Sequence, residues 1–336
     1  MRKMRLSLAL AALLALVPAA FAQDQPPDIA SPFLNLAGVA AGPPGAPAPL
    51  PALPPRADGK PPDLAFGAYQ RGNFLIALEE AERRIDGNPK DAAAITLVGV
   101  IYRDGAAVGR NELEASRWFR IASDLGDPQA AFELGALLLE GPGGVAKDPA
   151  GAKAQFERAA AKNHPGALYN LGVMALGGDK PNYAKAAQYF LRAAEAGDDN
   201  ANYSYGVMER EGKGVPQNVA DSVRWLKRAA DAGVIAGQVE YAIMLFNGVG
   251  VQKDEAGAVE ILRIAAAKGN PIAQNRLAHL YVAGRIVEHD LAKAAAWNAF
   301  AKAGGLADEG LDVATANLTP DERRRFTQIV RERIGY

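Results

Sequence analysis

No cysteine occurs in the 336 residues. That one absence removes disulfides, thiol catalysis and lipid attachment at a cysteine. Histidine is nearly as scarce. His164, His279 and His289 are the full set, and they share no spacing that would converge three donors on a metal ion. Neither sign of charge dominates: 37 basic and 38 acidic residues leave a net charge of −1, with no basic stripe of the kind that tracks nucleic acid. The densest basic cluster, Arg323, Arg324, Arg325, Arg331 and Arg333, alternates with Asp321, Glu322 and Glu332 as a solvated helix face does. No serine stands in a nucleophile elbow, and no carboxylate pair is set apart from the repeat described below. The glycine-rich stretches 141–144 and 248–250 follow no strand and fall at the repeat's own turn, so they fail the structural test for phosphate loops. Neither catalysis nor a cofactor is expected.

Long apolar runs are also lacking, with one exception. The N-terminus reads MRKMRLSLALAALLALVPAAFAQDQ: basic Arg2, Lys3 and Arg5, an apolar stretch from Leu6 to Val17, and Ala20-Phe21-Ala22 before a polar segment. The stretch is short for a bilayer span and Pro18 follows it, whereas the small-x-small ending suits a cleaved secretory signal peptide over residues 1–22. Periplasmic or secreted protein, without stable membrane insertion after cleavage, is the expectation. Residues 23–62 hold 12 of the 22 prolines among alanines and glycines. Such a stretch cannot pack a core and is expected to be a disordered linker.

What the chain does have is repetition. Aligning it on Ala94, Ala130, Ala167, Ala201, Gly237 and Ala273 gives units 34 to 37 residues apart. Five positions on stand Gly99, Gly135, Gly172, Gly206, Ala242 and Ala278; six further stand Gly105, Gly141, Gly178, Gly212, Gly248 and Gly284. Units of this length cannot bury an apolar face alone, and stack into a helical-pair solenoid. The first helix of each unit carries apolar or small residues at i, i+4, i+5 and i+8. Glycine inside a helix costs about 1 kcal/mol against alanine, so its recurrence at i+5 implies a close approach by a partner helix. The second glycine ends the helix, and Asp148, Asn218, Asp254 and Asp290 stand where a second helix needs an N-cap. That second helix carries Trp118, Phe156, Tyr189, Trp225, Ile261 and Trp297 at one aligned phase, as expected for inter-helix packing.

Taken together, the pattern Ala-x-x-x-Leu-Gly-x-x-Tyr-x-x-Gly-x-Gly-Val, followed by Lys/Asp-Ala-x-x-Trp-Phe/Tyr-x-x-Ala-Ala-x-x-Gly, resembles the Sel-one-like repeat (SLR) family, a relative of the tetratricopeptide repeats. The resemblance covers six units over residues 91–305. Residues 63–90 look like a plain tetratricopeptide capping unit, with Gly72, Ala77 and Pro89 at that motif's spacing, and residues 306–336 like a closing pair of helices. The fold class implied is all-α, a right-handed α-solenoid of tetratricopeptide/SLR helix pairs behind a disordered N-terminal segment.

The function implied by the resemblance is that of a non-enzymatic adaptor binding a protein or peptide on the concave face. If i, i+4, i+5 and i+8 are core, the opposite side of the first helix carries i+2, i+3 and i+6. Position i+2 includes Phe132, Tyr169, Tyr203 and Asn275; position i+3 includes Glu133, Asn170, Glu240 and Arg276. These eight are the candidate partner-binding residues, three consecutive aromatics beside acids and amides being what a protein-binding groove uses. Packing of the same rings on the next unit is the alternative. Two narrower functions stay open. The layout is similar to periplasmic exopolysaccharide regulators of the ExoR type, which implies restraint of a membrane sensor kinase. A cell-wall ligand binder is the other, since the cysteine-stapled Helicobacter relatives share the repeat.

Overall fold

The computed structural model describes residues 63–177 and 180–334. The expected signal peptide, the proline-rich linker and Gly178 lie outside them. The described residues form sixteen helices and no strand, and the architecture is a right-handed α-solenoid. No helix among them is long and apolar enough to cross a membrane.

A first pair, α1 (Leu64–Gln70) and α2 (Phe74–Gly87), precedes six repeats. The repeats pair α3 (Ala92–Asp104) with α4 (Glu112–Asp124), α5 (Pro128–Glu140) with α6 (Pro149–Ala160), and α7 (Pro165–Leu176) with α8 (Tyr183–Glu195). They continue with α9 (Asp199–Glu211) and α10 (Val219–Asp231), α11 (Ile235–Asn247) and α12 (Glu255–Ala267), and α13 (Pro271–Ala283) and α14 (Leu291–Ala303). Two further helices follow, α15 (Glu309–Ala314) and α16 (Pro320–Ile334).

Local chemistry sets these boundaries. At the second helices, Asn111, Asp148, Asn182, Asn218, Asp254 and Asp290 each accept a hydrogen bond from the backbone N–H three residues on, satisfying a donor the helix leaves orphaned. The first helices end at Gly105, Gly141, Gly212, Gly248 and Gly284, all left-handed with φ between 60° and 71°. In that region a Cβ would crowd the following carbonyl. The third repeat departs: its first helix stops at Gly177 with φ −75°.

The i+5 glycines are contact points. A Cβ at Gly99, Gly135 or Gly172 would come within 2.7, 2.7 or 2.6 Å of the ring of Phe119, Phe156 or Phe190. These rings are essentially solvent-free and fill the space between the two helices of each unit. They also correct the expected alignment of the second helices. The turn before α6 is one residue longer than most, so Phe156 shares its phase with Phe119 and Phe190, and Gln155 occupies the phase of Trp118 and Tyr189. Counted from the N-caps, the buried row is Phe119, Phe156, Phe190, Leu226, Leu262 and Asn298; Trp118, Tyr189, Trp225, Ile261 and Trp297 form a half-buried row beside it.

The last helix closes the array by reaching back across it. Arg325 pairs with Asp290, the N-cap of α14. The Arg333 guanidinium lies 5.1 Å from the ring centroids of both Trp297 and Phe300. It donates at 2.8 Å to the carbonyls of Ala266 and Ala267, at the end of α12. The carbonyls at this helix C-terminus thereby gain a cationic donor.

Candidate functional site

The first helices of the repeats are covered on three sides: by their own second helix and by a neighbouring unit before and after. Their buried stripe is accordingly wider than i, i+4, i+5 and i+8. Position i+1 is buried in every unit, as Ile95, Ala131, Leu168, Asn202, Gln238 and Gln274. What stays partly open is a strip along i+6, half-buried at Val100, Ala136, Val173, Val207 and Ile243, joined from the third repeat on by i+3; Leu97, Glu133 and, at the last i+6, His279 are buried.

That geometry changes the standing of position i+2. Phe132 is 7% exposed and does not face a free groove. Its ring stacks on His164 at 4.6 Å, lies 6.0 Å from Phe156, and covers Gly166 of the next unit. Successive units sit close enough for i+2 of one first helix to meet the start of the next, so this phase is a junction between units. Tyr169 is half-buried against Phe190 at 5.5 Å; burial pushes its hydroxyl pKa up, and interaction with Ser204 of the next unit draws it partly back. Tyr203 is half-buried, and burial beside Glu240 pushes its pKa up to about 12.

The i+3 row is organised by charge. Glu133 is buried, pairs with Arg103 on the preceding first helix, and accepts from Gln129 Nε2 at 2.8 Å. Glu240 pairs in the same way with Arg210. Both arginines stand at i+9 of the preceding unit, thirty residues before their acids. Burial opposes the charge on Arg103 and Arg210, and the carboxylates overcome it, so both guanidinium pKa values end above the ordinary range. Glu133 and Glu240 therefore bind inside the protein, tying repeat one to two and four to five. Asn170 and Ser204 occupy the row between them, half-buried.

At the C-terminal end of the strip, Asn275 Nδ2 donates to Asp308 at 3.0 Å and His279 Nε2 lies 2.8 Å from the same carboxylate oxygen. Asp308 is also the N-cap of α15, accepting from the Leu311 N–H at 3.0 Å. Burial would raise its pKa, yet these donors hold it below the ordinary carboxylate range. Arg276, beside Asn275, makes no ion pair or hydrogen bond with any described residue.

The eight residues expected to bind a partner therefore divide. Phe132 and Glu133 belong to the packed junction between units two and three. Tyr169 and Tyr203 contribute half-buried rings, Glu240 and Asn275 are engaged internally, and Asn170 and Arg276 remain without internal partners. Arg103, Arg210, Asp308 and His164 were missed. The thirty-residue Arg-to-Glu spacing was the available signal for the first two. His164 caps α7 by accepting from the Ala167 N–H at Nδ1, so its proton sits on Nε2, 3.0 Å from Gln129 Oε1. No group of three or more His, Asp or Glu residues is arranged to hold a metal ion among the described residues.

An array of stacked helix pairs with an open strip along its first helices defines a repeat scaffold of the protein-binding class. The particular family follows from the pattern itself: residues 92–127, 128–164, 165–198, 199–234, 235–270 and 271–299 each match the Sel1 repeat, and the chain belongs to that family. Sel1 repeat proteins are protein-interaction scaffolds. The crystal structure of a Sel1 repeat protein from Oxalobacter formigenes is similar, with TM-score 0.60 and 26% identity, covering 71% of this chain and 97% of that one. A protective antigen of uropathogenic Escherichia coli with an SLR fold shares the fold at TM-score 0.53 and 23% identity, over 81% of this chain and 67% of the other. Among curated proteins, an exopolysaccharide production negative regulator of Rhizobium leguminosarum bv. viciae is 30% identical over 107 residues, 30% of this chain and 40% of the relative. A component of an ERAD-associated E3 ubiquitin-protein ligase of Arabidopsis thaliana is 35% identical over 97 residues, 29% of this chain and 15% of the relative. The matched region thus spans less than half of either curated relative.

Proposed function

We propose that this protein is a non-enzymatic, exported scaffold that holds a protein partner along the open strip of its first helices. The partner runs over the half-buried i+6 row and meets Asn170, Ser204, Arg276 and the accessible edges of Tyr169 and Tyr203. The observation that carries this reading is the strip itself: half-buried apolar side chains along i+6 from Val100 to Ile243, flanked from the third repeat on by half-buried polar ones along i+3. Export is supported by the sequence of residues 1–22, and mass spectrometry of the secreted or periplasmic form tests it. A chain beginning at Gln23 is expected; Met1 retained in a membrane fraction overturns export.

The match to the Rhizobium regulator favours a narrower reading, in which the partner is the periplasmic part of a membrane sensor kinase in exopolysaccharide control. Binding of cell-wall material is the competing class. Affinity capture from periplasmic extract with the tagged chain, beside an Asn170→Arg, Ser204→Arg variant, separates them. The scaffold reading expects a specific protein retained by the wild type and lost by the folded variant. Retention on purified peptidoglycan without any protein, unchanged in the variant, overturns it.

A further inference from the structure

The junctions between successive first helices follow one rule, and the last breaks it. Counted by phase, i+9 of one unit matches i+3 of the next, giving Arg103 with Glu133, Leu139 with Asn170, Leu176 with Ser204, and Arg210 with Glu240, of which the first and fourth are ion pairs. Charges in this row are paired, or the junction is neutral. At the fifth junction the residues are Phe246 and Arg276. The cation has moved to i+3, and the matching i+9 phase carries no acid but Phe246, whose ring face is taken by Arg285 at 5.1 Å. Arg276 is half-buried, and burial lowers its pKa with only Glu240 opposing. Glu240 is already committed to Arg210. A guanidinium taken partly out of water, with no ion pair of its own and only a carboxylate already paired to Arg210 acting on it, costs stability in the free chain, so it calls for an anion from outside.

Resting on the reading of this strip as the partner-binding face, we propose that Arg276 is the specificity site of the scaffold, receiving a glutamate or aspartate side chain from an extended segment of the partner. The chain itself shows the chemistry. Glu133 and Glu240 neutralise the other arginines of this row, so a carboxylate is the group with which a half-buried arginine is paired here. Arginine's planar fork suits a carboxylate, and the low exposure of the site strengthens the bond relative to a surface pair. Asn275, the preceding residue, is held by Asp308, so the helix bearing Arg276 is anchored before any partner arrives.

Two measurements test this. The first needs no partner: Arg276→Gln removes an uncompensated half-buried charge, so the free chain's melting midpoint is expected to rise or hold. A fall of several degrees would show that Arg276 is an internal structural contact and overturn the proposal. The second uses an array of short synthetic peptides attached through their C-termini, so that only side-chain carboxylates respond, each made in matched Glu and Gln versions. The full chain is expected to retain a subset in which Glu is preferred over Gln at one position. Arg276→Gln should bind that subset about tenfold to a hundredfold more weakly and lose the preference, and Arg276→Glu should favour Lys there. Peptides retained without acidic preference, or an unchanged preference in Arg276→Gln, overturn the assignment while leaving the scaffold reading intact; retention of no peptide overturns both.

Discussion

Gly172 lies directly beneath the ring of Phe190: a Cβ at position 172 would come within 2.6 Å of Phe190 Cε1. The same pair recurs along the solenoid and covaries in size. Gly99 meets Phe119, Gly135 meets Phe156, and Gly206 meets Leu226. In the last two repeats alanine takes the glycine's place, as Ala242 and Ala278, where the partner phase carries Leu262 and Asn298. In the first four units the two helices approach through this complementarity of a large side chain and a missing one.

The pair therefore couples energetically. Gly172→Leu should overpack the interface and lower stability by about 1–3 kcal/mol. Gly172→Ala sets a helix-propensity gain of about 1 kcal/mol against the same clash, and Phe190→Leu made alongside should turn it into a net gain relative to Phe190→Leu alone. Urea midpoints for the four members of this cycle check it. Strict additivity would mean that the two residues do not touch in solution.

Phe132 is a junction residue, so its truncation acts on folding. Phe132→Ala should cost about 3–5 kcal/mol, while Asn170→Ala, on the open strip, should stay within about 0.5 kcal/mol. Denaturant titrations of the two variants decide the point. A Phe132→Ala chain with an unchanged midpoint would return that ring to the exposed face.

His164 makes stability at the junction of repeats two and three depend on pH. Burial lowers its pKa from 6.5, while Glu133 and Asp127 act in the opposite sense. A base with a depressed folded-state pKa contributes stability that is whole above the unfolded value and is lost as pH falls below about 6.5 through the folded one. The structural cause is that protonating Nδ1 forbids the bond from the Ala167 N–H. His164→Asn keeps a capping acceptor without a titrating ring, so its melting midpoint should fall less than the wild type's between pH 7 and 5. Parallel slopes in the two melting series would remove His164 from the pH response.

Ile286 stands in the left-handed region with φ 65°, where the corresponding turns of repeats four and five use Gly214 at 76° and Gly250 at 69°. A β-branched residue is strained there, and the side chain is half exposed, so little packing is lost with it. Ile286→Gly is expected to stabilise the chain by about 1 kcal/mol. Thermal melting that shows a loss instead would mean that the Ile286 side chain contributes more by contact than its backbone costs.

The primary sequence by itself determined the number of repeats, the pairing of helices, the caps and the close-packed glycines. Each is a local rule: an N-cap needs an acceptor, a left-handed C-cap needs glycine, and a helix without a Cβ at i+5 invites a ring. Asp148, Gly141 and Gly135 could be read off one after another for that reason. The tertiary structure alone decided which face of the first helices stays open, because the packing of one unit on the next brings i+2 of Phe132 onto His164 and Gly166. It also decided that Glu133 and Glu240 are consumed within the solenoid whereas Arg276 is not. Those outcomes depend on which side chains thirty residues apart are carried into contact, a consequence of how the units stack that no single repeat contains.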